Sequence, residues 1–189
     1  MKLIPARLDG VYLLEPVQHR DERGFFMESF RADTLKRLGL PSLFIQDNHS
    51  LSVPRGTLRG MHYQTPPKAQ TKLIRVLAGA IHDVVVDMRE NSRTFGQWEA
   101  FLLSEENSLQ LLVPKGFAHG FCTLQENAQV LYKVDALYSL EHDRGIAFDD
   151  PDLAIPWPVE DPVLSDKDGK HPRLAEVELY TKEQWEGTA

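Results

Sequence analysis

The chain has one cysteine in 189 residues, so it closes no internal disulfide. That residue, Cys122, lies in Gly120-Phe121-Cys122-Thr123-Leu124 and reads as a small buried hydrophobe of a strand, not a nucleophile. No apolar run approaches the ~20 residues of a membrane-spanning helix. The segment from Met1 to Arg7 lacks the apolar core of a signal peptide, so a cytoplasmic protein is expected. Positive charge is in the minority: 21 Lys and Arg stand against 28 Asp and Glu, for a net charge of −7. That balance argues against nucleic acid or a membrane surface as partner. An anionic small molecule remains possible, because a few Arg and Lys can gather in one pocket. There is no Gly-x-Gly-x-x-Gly, hence no dinucleotide cradle.

What the chain does contain is strands. Apolar segments run Leu43 to Gln46, Lys72 to Leu77, Ile81 to Met88, Trp98 to Leu103, Leu109 to Val113, Phe121 to Leu124 and Ala128 to Val134, with turn residues between. Their lengths and β-branched content predict a sandwich or barrel. Helical signals are limited to Ala32 to Leu38, stopped by Gly39, and Thr181 to Trp185, with Thr181 as cap and Gln184 at the capping-box position. Hydrophobic content of 42% and charged content of 26% fit one globular domain over residues 1–189. The irregular Pro- and Asp-rich segment of about 149–189 is expected to pack on the barrel.

Two segments carry histidines: Thr57-Leu58-Arg59-Gly60-Met61-His62-Tyr63-Gln64 and Val113-Pro114-Lys115-Gly116-Phe117-Ala118-His119-Gly120-Phe121. The second resembles the second motif of the cupin superfamily, and the first stands where the first cupin motif would. The resemblance implies neighbouring strands of an all-β, antiparallel jelly-roll barrel with a shared pocket. Cupins normally offer three His and one Glu to a metal. Here His-x-His is replaced by His62-Tyr63-Gln64, and Lys68, Gln70 and Lys72 stand where the Glu is expected. Two imidazoles without a carboxylate make a poor metal site, so no metal is expected.

Alternation puts Lys72 with Ile74 and Val76, and Tyr132 with Val130 and Val134. Polar groups on such faces are expensive unless the interior uses them. A lysine there suits a developing oxyanion, and a tyrosine hydroxyl suits proton donation. Asp168, in the long C-terminal segment, could orient His62 if that segment folds back over the barrel. Arg23, Glu28 and Arg59 are candidates for ligand contact, Arg being suited to phosphate. Parity places Arg59 and His62 on opposite faces of a regular strand. Either Gly60 marks a bulge, or Arg59 serves another part of the pocket, or it serves a neighbouring subunit.

Taken together, Asp21-Glu22-Arg23-Gly24-Phe25-Phe26, Gln46-Asp47-Asn48-His49-Ser50, Leu58 to Gln64, Lys72-Leu73-Ile74-Arg75-Val76, Phe95-Gly96-Gln97-Trp98, Val113 to Phe121, Tyr132-Lys133 and Leu164-Ser165-Asp166-Lys167-Asp168 resemble the dTDP-4-dehydrorhamnose 3,5-epimerases, in family order. The resemblance implies a cofactor-free isomerase that inverts carbons 3 and 5 of dTDP-4-keto-6-deoxy-D-glucose. It implies His62 as base, Asp168 as its partner, Tyr132 as acid on the opposite face and Lys72 at the enolate oxygen. Arg23, Glu28, Gln46, Asn48, Arg59, His119, Asp143 and Lys167 are implied substrate contacts, Asp143 standing where the family usually has Glu. It further implies a homodimer with N-terminal strand exchange, so that Arg23 and Glu28 serve the partner's site. The alternatives are an epimerase acting at one of the two carbons, a metal-dependent cupin and a non-catalytic sugar-binding jelly roll.

Overall fold

The computed structural model describes residues 1–187; Thr188 and Ala189, the end of the expected domain, lie outside the described residues. The strands are β1 (Lys2–Pro5), β2 (Tyr12–Glu15), β3 (Gln18–Asp21), β4 (Gly24–Met27), β5 (Gln46–Ser52), β6 (Leu58–Gln64), β7 (Lys72–Ala78), β8 (Ala80–Asp87), β9 (Trp98–Ser104), β10 (Gln110–Val113), β11 (Phe117–Thr123), β12 (Ala128–Val134) and β13 (Asp143–Gly145), with helices α1 (Ala32–Arg37) and α2 (Lys182–Glu186). They form a six-stranded sheet in the order β1-β2-β10-β7-β12-β5, a five-stranded sheet in the order β13-β6-β11-β8-β9, and the separate hairpin β3–β4. Every strand ladder is antiparallel. This is the all-β jelly roll with short peripheral helices that the cupin-like motifs predict.

The inner core lies between the sheets: Ile74, Val76, Leu111 and Val130 from one meet Ile81, Val85, Phe117 and Phe121 from the other. Strand β8 is buried on both faces. Ile81 and Val85 enter this core, while Val84 and Val86 pack outward against Leu153, Ile155 and Trp185 of the C-terminal segment. A strand covered on both sides reads as continuous hydrophobics rather than as alternation. Helix α1, through Leu35, and the turn after it, through Leu40, cover the outer face of the six-stranded sheet against Leu14, Leu73 and Leu112. It stops where Gly39 takes φ +74°, so that Gly39 N donates to Lys36 O and Leu40 N to Leu35 O. At α2, Gln184 N donates to Thr181 Oγ1 and Thr181 N to Gln184 Oε1, which is the expected capping box.

Two strands depart from the sequence expectation by more than one residue at an end. Leu43 to Ile45 precede the strand, which runs Gln46–Ser52 instead. The partner strand β12 ends at Val134, opposite Gln46, so there is no further ladder for Leu43 and Phe44 to join. Strand β11 begins at Phe117 rather than Phe121, directly after the Pro114-Lys115-Gly116 turn. The short strands β1 to β4 carry no alternation long enough to read.

One irregularity sets up the site. Between β6 and β11, His62 faces His119 and Arg59 faces Phe121, so β6 spends one more residue than its partner. Gly60, at φ +140°, is inside this bulge, and a Cβ there would lie 2.5 Å from Gly120 Cα. The bulge resolves the parity question, because both Arg59 and His62 line one cavity.

Candidate active site

That cavity, about 380 Å³, opens between the two sheets. The six-stranded sheet contributes Ser50, Lys72 and Tyr132, and the five-stranded sheet contributes Arg59, His62, His119 and Asp143. Lys167 and Asp168 reach it from the C-terminal segment.

His62 is about one-third exposed, and its Nε2 lies 2.5 Å from Asp168 Oδ1. A carboxylate accepting the Nε2 proton leaves Nδ1 with the free lone pair. Burial pushes the His62 imidazolium below 6.5; Asp168 opposes this, and Lys72 and Lys167 reinforce it. The ring is therefore a free base at neutral pH. Asp168 begins a short 3-10 turn, Asp168–Lys170, and its own N–H donates to Ser165 Oγ. Burial pushes its carboxyl up, but the neighbouring imidazoles of His171 and His62 outweigh that and hold it well below the usual carboxylate range.

Lys72 is buried, donates from Nζ to His62 O at 3.1 Å, and is pushed down by burial from 10.5 to about 8. A cation held next to the base is suited to an oxyanion forming beside it. Tyr132 enters from β12, in the opposite sheet to His62. Burial pushes its hydroxyl up, with Arg59 opposing, so it keeps its proton. His119 has no such freedom: its Nε2 is held 2.9 Å from both oxygens of the fully buried Asp83.

The remaining residues divide by place. Arg59 is anchored on β5, donating to Ser52 Oγ and Leu51 O. The Asp143 carboxylate accepts from Lys167 Nζ at 2.5 Å and from the Tyr138 hydroxyl at 2.9 Å. Gln46 and Asn48 are hydrogen-bonded to each other on β5, on the same face as Ser50 but beyond the cavity lining. Arg23 and Glu28 do not reach the cavity of their own chain. Arg23 is exposed on the β3–β4 hairpin, paired with Asp21, and Glu28 lines a separate cleft with Met1 and Phe26.

Several residues escaped the sequence reading. Gln64, which stands where a metal cupin has its second histidine, donates to Lys68 O and Leu137 O and accepts from Ser139 N. It thereby holds the loop that carries Tyr138. Tyr138 itself has no periodic signal. His171 lies beside Asp168, and the only hint was its place three residues on. Among the described residues, His62, Asp168 and His171 are the one group of three whose potential metal donors lie within 4.8 Å of one another. Two ligands of one tetrahedral ion lie about 3.4 Å apart. The 2.5 Å between His62 Nε2 and Asp168 Oδ1 is instead a hydrogen-bond distance, so these atoms are bonded to each other.

Known proteins match this chain along most of its length. The family model of the dTDP-4-dehydrorhamnose 3,5-epimerases matches residues 5–176. The enzyme of that name from Shigella flexneri is 45% identical over 181 residues, covering 95% of this chain and 99% of that one. The crystal structure of the Bacillus anthracis enzyme with TDP and PPi bound is 54% identical, with a TM-score of 0.90 over 91% of this chain and 98% of that one. The dTDP-6-deoxy-D-glucose-3,5-epimerase of Legionella pneumophila, solved with dTDP-4-keto-L-rhamnose, is 43% identical, with a TM-score of 0.92 over 96% of this chain and 98% of that one. On this evidence of sequence and fold, the chain belongs to the dTDP-4-dehydrorhamnose 3,5-epimerase family.

Proposed function

We propose that this enzyme epimerises carbons 3 and 5 of dTDP-4-keto-6-deoxy-D-glucose, giving dTDP-4-keto-L-rhamnose, through enolates formed beside the ketone. The observation that carries the reading is the opposition of His62 and Tyr132: a base and a protonated hydroxyl enter one cavity from facing sheets. Inversion needs removal of a proton from one face of the sugar and return from the other. His62 Nδ1 takes the proton next to the carbonyl, and Asp168 stabilises the imidazolium that results. Lys72 faces the developing enolate oxygen, and Tyr132 returns a proton to the other face. Arg59, His119, Asp143 and Lys167 hold the substrate around the reacting ring, and Gln46 and Asn48 extend the binding surface along β5. No step calls for a metal or redox cofactor.

The working form in this reading is a cytoplasmic homodimer with exchanged N-terminal strands. Its support is the position of Arg23 and Glu28, away from their own cavity, on a hairpin with Phe25 52% and Phe26 72% exposed. Mixing His62→Ala with Arg23→Ala tests it. A heterodimer then contains one intact site if Arg23 acts across subunits, returning about a quarter of wild-type activity under random exchange. A mixture no more active than its components refutes the exchange.

Reaction in deuterated buffer, followed by NMR, tests the chemistry. Deuterium at carbons 3 and 5 is expected, and His62→Ala should lose the exchange. Label at one carbon only makes the protein a single-carbon epimerase. Label at neither, or stoichiometric metal in protein purified without chelator, overturns the reading.

A further inference from the structure

Asp168 sits beside two imidazoles, and the proposed reaction uses only one of them. Its Oδ1 is 2.5 Å from His62 Nε2 and 3.6 Å from His171 Nε2. The His171 side chain is 8% exposed, and its Nε2 has no hydrogen-bond partner among the described residues. Leaving a ring nitrogen buried without a partner is costly, so other contacts must hold the ring. It meets the His62 ring edge-on, with centroids 5.5 Å apart and planes at 78°. It also fills the space beside Gly145, where a Cβ would come within 2.5 Å of ring atoms. Gly145 pairs directly with His62 in the β13–β6 ladder. The ring is thus built into the dyad on two sides.

We infer that His171 is a positioning residue: its N–H restrains the Asp168 carboxylate and, by sharing that charge, weakens the hold of Asp168 on a proton at His62. The inference rests on the reading of His62 as the base. At 3.6 Å the contact is just beyond hydrogen-bond length. An N–H dipole still attracts a carboxylate across that distance, the more so in a buried setting. A carboxylate with a second donor is a poorer partner for imidazolium. His171 therefore keeps His62 a free base in the resting enzyme, in the same direction as burial does.

Other charged and titratable groups face the dyad. Lys72 comes from β7, Lys167 from the C-terminal segment, Asp143 from β13, Tyr132 from β12 and the His119–Asp83 pair from β11 and β8. All remain in variants at position 171, so a difference between such variants reports on His171.

The test compares His171→Phe, which removes the donor and keeps a ring, with His171→Gln, whose amide reaches the Nε2 position. The acid limb of kcat/KM should move up by roughly one pH unit in His171→Phe, with KM little changed. His171→Gln should return the limb to the wild-type position. An unmoved limb in His171→Phe, or a His171→Gln profile matching that of Phe, overturns the inference. If Phe does not fold against Gly145, His171→Ala takes its place in the same comparison. Wild-type deuterium exchange runs alongside. Its absence sinks the epimerase reading itself, whereas normal exchange with unmoved limbs sinks only the role of His171.

Discussion

Replacing Lys72 by methionine separates what the buried charge gives the reaction from what it costs the fold. The residue is 8% exposed, and burial takes its ammonium from 10.5 to about 8. A depression of that size means the charged form is disfavoured on folding by roughly 3 kcal/mol at pH 7. Methionine keeps the apolar stem and removes that cost. It also removes the donor to His62 O, a loss of about 1 kcal/mol. The net expectation is a gain of roughly 2 kcal/mol, or roughly 4–8 °C in Tm for a chain of this size. The gain has a pH signature. The unfolded lysine keeps its proton up to about 10.5, and the folded one releases it near 8. Wild-type stability therefore rises between those values, and the advantage of Lys72→Met fades across the same window. Activity moves the other way. Loss of a charge aimed at the enolate oxygen costs roughly 10²–10³ in kcat. Thermal denaturation at pH 7 and pH 10, paired with deuterium exchange, measures both effects. The reasoning fails if the variant is less stable than wild type at pH 7, if the difference is the same at both pH values, or if exchange stays at the wild-type rate.

Tyr132→Phe should still wash deuterium into the substrate but yield little inverted sugar, since the proton can leave towards His62 and has no donor on the opposite face; NMR of the recovered sugar separates exchange from inversion. The wild-type kcat/KM profile should have an acid limb below 6.5, because burial lowers His62, and an alkaline limb near 8, where Lys72 loses its charge. An acid limb above 6.5 would count against burial as the dominant influence. Gly60→Ala should destabilise the fold by roughly 2–4 kcal/mol, combining an unfavourable positive φ with a backbone clash. Urea unfolding measures it, and a loss under 1 kcal/mol would show that the bulge tolerates a side chain.

The fold was legible because its strands are long and apolar where they are central. Strands β7, β8, β9 and β12 announce themselves, since each is buried on at least one face and bounded by turns. Strands β1 to β4 do not, because four residues cannot establish a period and β3 is polar throughout. Within the site, His62, His119 and Lys72 could be placed by motif and parity, since one strand carries each. Asp168 was reached only conditionally and through the family resemblance, because a turn aspartate becomes special only when 106 residues of chain bring it back to His62. His171 was invisible for the same reason, and Gln64 because its work is done on backbone atoms of a loop. The sequence also raised the choice between a bulge and a displaced Arg59 without deciding it. The decision rests on the shift of register between β6 and β11, which brings Arg59 and His62 to one cavity.

In the proposed mechanism, the departures from the metal-cupin pattern also suit this barrel to proton transfer. An enolate oxygen needs positive charge close by, and a bound cation or an ammonium can supply it. Where a metal cupin has its ligating glutamate, this chain has Lys68, Gln70 and Lys72, and Lys72 is buried in the cavity wall on the sheet that faces His62. A cation ligated by His62 would occupy the lone pair that a base requires. Asp168 supports the ring from Nε2, which leaves Nδ1 for the base in the proposed mechanism. His119 is held in place on two oxygens of Asp83. The two imidazoles share a cavity and a ladder position, yet their carboxylate partners assign them different work. Asp168 comes from the C-terminal segment, whereas Asp83 belongs to the barrel itself. In the proposed mechanism the reactive histidine is the one whose partner lies outside the strands.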